Sequence, residues 1–204
     1  DVGYSIVRMA VKPLRTQKQA KKKKAAVEVI TPPGQQCQFD WSPYTIATGE
    51  VVQLFSNILS WSRGHFFAAE NNTRQTTVLR DLQAAFEDWD GVPHEAVTDS
   101  MPGVVDRWEL GEPVLNIRFV DFAAYYDVIA HIAPRAQGQY KGKVERPFWF
   151  AELNFLGGRT FHSLQQFRET LEWWTREKAM KQPHPVTKRP RSEMLEEERP
   201  YLQP

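Results

Sequence analysis

Between residues 36 and 70 the chain alternates on a two-residue period. In QCQFDWSPYT, Cys37, Phe39 and Trp41 fall on one face, and Gln38, Asp40 and Ser42 on the other, which predicts a half-buried strand over 36–46. Gly49 turns the chain, and VVQLFSNILSWS (51–62) and HFFAAE (65–70) read as two further strands joined near Arg63-Gly64, a three-strand meander. The period then lengthens. Val78, Leu79, Leu82, Ala85, Phe86 and Trp89 form one helical stripe, with Thr73 as N-cap and Gly91-Val92-Pro93 as the stop. EAVTD (95–99) predicts a fourth strand, 100–112 a loop, Asn116–Tyr126 a helix and DVIAHIAP (127–134) a fifth strand. A loop over 135–138 leads into a helix from about 139 to 156, interrupted by Gly157-Gly158. Leu164, Phe167, Leu171 and Trp174 mark a last helix over 162–180, and five prolines in 181–204 suggest an extended tail.

The order is βββαβαβα. It matches the ribonuclease H-like fold, an α/β architecture with a mixed five-stranded sheet flanked by helices, here with a C-terminal helical extension. Pro32-Pro33-Gly34 marks the start of the core, expected over 32–158, with the last helix and proline-rich tail over 159–204. Residues 1–15, with Ile6, Val7, Met9, Ala10 and Val11 ahead of Pro13, read as a short helix, the remnant of an upstream domain. Residues 16–31 read as a basic linker.

Composition narrows the class. An apolar content of 41% is enough for a packed core. A single cysteine, Cys37, excludes a disulfide framework and a cysteine-rich zinc site; it reads as a buried strand residue in a protein of a reducing cytoplasm. His131 reads as a core or strand-end residue, and His65, His94, His162 and His184 have no ligand spacing, so a zinc site is rejected. No signal peptide, membrane-length apolar run or Gly-rich phosphate loop occurs, so neither membrane partner nor bound ATP is expected. The net charge of +1 conceals an asymmetry: +6 over residues 1–30, −9 over 31–133 and +4 over 134–204. An acidic centre between basic ends suits a metal site flanked by DNA-holding surfaces, and equally an acidic domain with a basic linker.

Asp40, Asp99 and Glu145 stand out as acids poorly explained by stability. In the expected layout the first and fourth strands are neighbours. Asp40 and Asp99 would therefore meet although 59 positions apart, and the helix bearing Glu145 would pack across the same end. Three carboxylates so placed can hold two Mg²⁺ or Mn²⁺ ions per site, the usual device for in-line displacement at a phosphodiester. Taken singly, Asp40 also suits a carboxylate capping a turn, Asp99 a solvated strand end, and Glu145 an ion pair with Lys141. Lys141, Lys143 and Arg146 around Glu145 are candidate phosphate contacts or a solvated helix face; Gln137 is a candidate base or phosphate contact. The run Lys21, Lys22, Lys23 and Lys24 is either a solvated linker or a further phosphate contact.

PGQQCQFDWS and PHEAVTDSM resemble the flanks of the first two acids in retroviral-integrase-like DDE transposases. HIAPRAQGQYKGKVERPFWF resembles the segment carrying the last acid in IstA-type transposases of bacterial insertion sequences, and the tail HPVTKRPRSEMLEEERPYLQP resembles the segment after that family's core. The resemblance implies that Asp40, Asp99 and Glu145 are the catalytic, metal-binding triad. It implies cleavage at element ends, then transfer of 3′-hydroxyls into target DNA. It further implies at least a dimer, a separate AAA+ helper ATPase and a place at the bacterial nucleoid. Ser100 and Pro102 depart from the family pattern, which has Asn and a basic residue there. A non-catalytic DNA-binding or assembly protein and a purely hydrolysing nuclease remain as alternatives.

Overall fold

The computed structural model describes residues 31–133 and 147–204. Five strands form one sheet: β1 (Gln36–Thr45), β2 (Val51–Leu59), β3 (His65–Glu70), β4 (Glu95–Asp99) and, after a separate hairpin of β5 (Val105–Glu109) and β6 (Glu112–Leu115), β7 (Ile129–Ala133). The sheet order is β3-β2-β1-β4-β7. β1, β2 and β3 pair antiparallel, whereas β4 lies parallel to both β1 and β7. This is the expected mixed sheet. The helices are α1 (Gln75–Trp89), α2 (Ile117–Tyr125), α3 (Pro147–Ala151), α4 (Leu164–Trp174) and α5 (Arg191–Glu198). None of the described helices is long and apolar enough to cross a membrane.

Each face of the sheet carries its own core. Cys37, Phe39, Phe55 and Leu59 meet Val78, Leu82, Phe86 and Trp89 of α1 and Phe119 of α2. On the other face Val52, Leu54 and Phe67 meet Phe150, Phe155, Phe167, Leu171 and Trp174. Full burial of such a side chain stabilises by about 1.5–3 kcal/mol. β2 is covered on both sides, which is why VVQLFSNIL lacks clean alternation. Trp174 is core and Trp173 half-exposed, with the Lys178 ammonium 5.6 Å from its ring centre.

Several boundaries differ from expectation, each for a local reason. Thr73 does not cap α1. The Asn72 side chain accepts from the Arg74 N–H (2.9 Å) and the Thr77 hydroxyl (2.8 Å), and the helix begins at Gln75. The stretch 100–112 is not a plain loop: 105–115 folds as the β5–β6 hairpin around Leu110 and Gly111, both at positive φ (51° and 90°). The last helix runs only over Leu164–Trp174, begun by Ser163, whose hydroxyl accepts from the Gln166 N–H (3.1 Å), and continues as a π-helical turn, Thr175–Ala179. His131 is an exposed strand residue, its Nε2 3.5 Å from a Glu95 carboxylate oxygen.

The tail is the largest correction. It is not extended: α5 packs Met194 and Leu195 inward, and Glu198 is fully buried. The Glu198 carboxylate accepts from the Gly34 N–H (2.9 Å) and the Ser62 N–H (3.0 Å). Beyond it, Gln203 forms a backbone bridge with Val92. A Cβ on Gly34 would lie 2.1 Å from the Tyr201 carbonyl oxygen, so that glycine is where the tail crosses the start of the core.

Candidate metal centre

β1 and β4 decide the geometry. Their parallel pairs are Gln36↔Glu95, Cys37↔Ala96 and Gln38↔Val97, a constant offset of 59. The pairing itself ends at Gln38↔Val97; the same offset, carried two residues further, would set Asp40 opposite Asp99, the last residue of β4. Period-2 alternation turns Asp40 away from the face holding Cys37 and Phe39, and Asp99 away from Thr98, so both acids share one face.

Both are half-buried. One oxygen of Asp40 accepts from the Trp41 N–H at 2.8 Å, which fixes its carboxylate against the strand. Among the described residues no cation pairs with Asp99. Carboxylate oxygens of this kind are the hard donors that Mg²⁺ and Mn²⁺ take. Among the described residues no group of three histidine, cysteine or acidic side chains could hold a metal.

Glu145, the expected third ligand, lies outside the described residues, as do Lys141, Lys143, Arg146, Gln137 and the run Lys21, Lys22, Lys23 and Lys24. Ala133, the last described residue before the segment carrying Glu145, ends β7 and pairs with Asp99.

One contact was not legible beforehand. The Ser100 hydroxyl, next to Asp99, accepts the indole N–H of Trp108 from the hairpin at 2.8 Å. Sequence reasoning missed it because it read the hairpin as loop.

The remaining buried ionisable groups sit elsewhere in the molecule. Burial pushes the Cys37 thiol up to about 12, so it stays protonated and is not a nucleophile. Burial, with the nearby positive charge of Arg191, keeps His65 neutral well below its ordinary range. Glu70 on the edge strand β3 binds Arg80 (2.7 Å) and Arg168 (2.6 Å), across the sheet from Asp99.

No family model matches the chain. A putative transposase of the element IS5376 from Geobacillus stearothermophilus is 32% identical over 193 residues, covering 91% of this chain and 46% of the relative. The transposase of the element IS21 from Pseudomonas aeruginosa is 27% identical over 207 residues, covering 99% of this chain and 52% of the relative. This chain is a homologue of insertion-sequence transposases. It spans about half the length of those transposases. The magnesium-bound catalytic core of HTLV-2 integrase superposes with a TM-score of 0.52 at 14% identity, over 80% of this chain and 97% of that one. The transposase homologue therefore has the retroviral-integrase, ribonuclease H-like fold, as its element order implied.

Proposed function

We propose that the chain is the catalytic core of a DDE transposase, a polynucleotidyl transferase that cleaves at insertion-sequence ends and transfers the 3′-hydroxyls into target DNA. The observation supporting this reading is the parallel β1–β4 pairing at a constant offset of 59, the separation of Asp40 from Asp99. Asp40 and Asp99 would hold one divalent ion, and Asp40 and Glu145 the second. When bound, the pair of ions lowers the pKa of the attacking water or 3′-hydroxyl and stabilises the leaving oxygen. The chain's own work is placement. The Trp41 N–H holds one oxygen of Asp40, and the end of β4 would bring Asp99 to it. Lys141, Lys143 and Arg146 would hold the scissile strand by its phosphates, with Gln137 as a further contact. Lys21, Lys22, Lys23 and Lys24 would bind DNA outside the site.

The HTLV-2 integrase core was solved with magnesium in a dimeric form. That supports magnesium as cofactor and an assembly of at least two copies, since two element ends must be joined together. A helper ATPase follows from family resemblance alone and belongs to the same proposal, as do a cytoplasmic place near the nucleoid and the division into a 1–15 segment, a 16–31 linker, a 32–158 core and a 159–204 extension.

The test is strand transfer from a pre-cut element end into plasmid DNA with Mn²⁺. Asp40→Asn and Asp99→Asn should each lower the rate by about 10²–10³-fold or more, the scale on which loss of one preorganised electrostatic group acts, with circular dichroism unchanged. Joining that survives both substitutions sinks the assignment.

A further inference from the structure

α2 is more apolar than its burial explains. Seven of its nine residues, IRFVDFAAY, are apolar, yet Phe119 alone is buried. Phe122 and, just past the end of the helix, Tyr126 lean on Phe86 of α1, with ring centres 6.1 and 5.3 Å away. They mark the side of α2 that the core already uses. The opposite side carries Ile117 (66% exposed), Val120, Ala124 and Tyr125 (82% exposed), at the i, i+3, i+7, i+8 spacing of a packing stripe. Single exposed apolar residues are ordinary on any surface, but four along one side of a helix form a patch that a partner can cover.

Two charges on that side say which partner. Asp121 lies within the stripe and Arg118 on its flank; both are exposed, and among the described residues neither takes part in an ion pair. A cover without a cation would strand the Asp121 carboxylate. The helix itself supplies the matching cation. Arg118 and Asp121 are three positions apart, hence about 60° apart around the axis and about 4.5 Å along it, on the same flank. A twofold axis crossing α2 between Phe119 and Val120 lays a second α2 antiparallel on the first, with each flank against its own copy. That sets Arg118 of each helix level with Asp121 of the other, and Ile117 of each between Val120 and Ala124 of the other. Such self-complementarity is what an interface between two identical faces requires.

We infer that the outer side of α2 is the surface through which two copies of this chain pair, antiparallel about a twofold axis, with Arg118 and Asp121 in two reciprocal ion pairs. This names the surface for the assembly of at least two copies and rests on that part of the proposed function.

Analytical ultracentrifugation of the whole chain without DNA should show a dimer. Ile117→Glu should give a monomer at unchanged circular dichroism. Arg118→Asp and Asp121→Arg each oppose like charges across the axis, and each should raise the dimer dissociation constant about 10-fold or more. Mixing those two variants, or combining both substitutions in one chain, restores opposite charges and should restore the dimer. A role confined to one chain would not produce rescue between two chains. A monomeric wild type overturns the inference, with the patch then covered by another part of the chain or by a different protein. A dimer indifferent to Ile117→Glu overturns it too, as do charge-swapped variants that mixing does not rescue. A dimer that persists in every variant strikes this surface and leaves the assembly standing. Joining in Mn²⁺, scored separately, tests the transferase reading.

Discussion

Asp81 on α1 is almost wholly buried beside Glu70, and its two arginine neighbours do not win. The Arg80 side chain is 58% exposed, so water screens much of its charge, while loss of hydration acts on Asp81 in full. Burial, then the Glu70 carboxylate, push the Asp81 carboxyl up to about 6 from its ordinary 3.8. The folded state therefore holds this proton more tightly than the unfolded chain. Its contribution is complete below about pH 4 and is lost as pH rises through about 6. Asp81→Asn, which removes the ionisation and keeps an oxygen for Arg80, should gain on the wild type by about 1–3 kcal/mol across that window. Denaturant unfolding of both proteins at pH 4 and pH 7 checks it; a difference independent of pH would refute it. Asp40 and Asp99 present the opposite case, a pair of acids left half-open at the end of β4. Their residue types were legible in the sequence. That their strands, β1 and β4, are neighbours was legible only through the element order.

At the scale of elements, the strands were readable because burying one face imposes alternation, and α1 because its apolar stripe recurs every 3.6 residues. The hairpin was hidden by its short, polar strands and by a Leu-Gly turn in place of Asn-Gly or Asp-Gly. The tail was hidden for a deeper reason. α5, RSEMLEEE, has almost no apolar stripe, and two of its buried side chains, Arg191 and Glu198, are charged. Their partners are backbone groups: for Arg191 the carbonyl of Gln182 (3.0 Å), for Glu198 the N–H groups of Gly34 and Ser62, 164 and 136 positions away. Glu198→Ala would leave two buried N–H groups unpaired, at about 1–3 kcal/mol each. Because Leu195 of α5 packs in the same cluster as Cys37, that loosening reaches the single cysteine. Labelling of Cys37 by a thiol reagent should accelerate by about 10- to 100-fold at unchanged circular dichroism. An unaltered rate would show that α5 does not guard this core.

For the whole molecule, charge separation is the leading feature: +6 over residues 1–30 against −9 over 31–133. If Lys21, Lys22, Lys23 and Lys24 touch phosphates, replacing all four by Gln should lower the slope of log affinity against log salt by about 3–4 for duplex DNA. An unchanged slope would make that run a solvated linker. The sequence by itself determined the sheet's strands, the major helices, the acidic and basic segments, the three candidate acids and the likeness to IstA-type transposases, because periodicity, charge and local motifs are properties of neighbours along the chain. Only the tertiary structure decided that β1 and β4 pair at an offset of 59, that the Trp108 indole N–H donates to the Ser100 hydroxyl, and that a polar tail closes the core through Glu198. Those contacts join residues from distant parts of the chain or sit in an element with no periodic signal. Their energy comes from pairing buried polar groups, which leaves no periodic trace in the sequence.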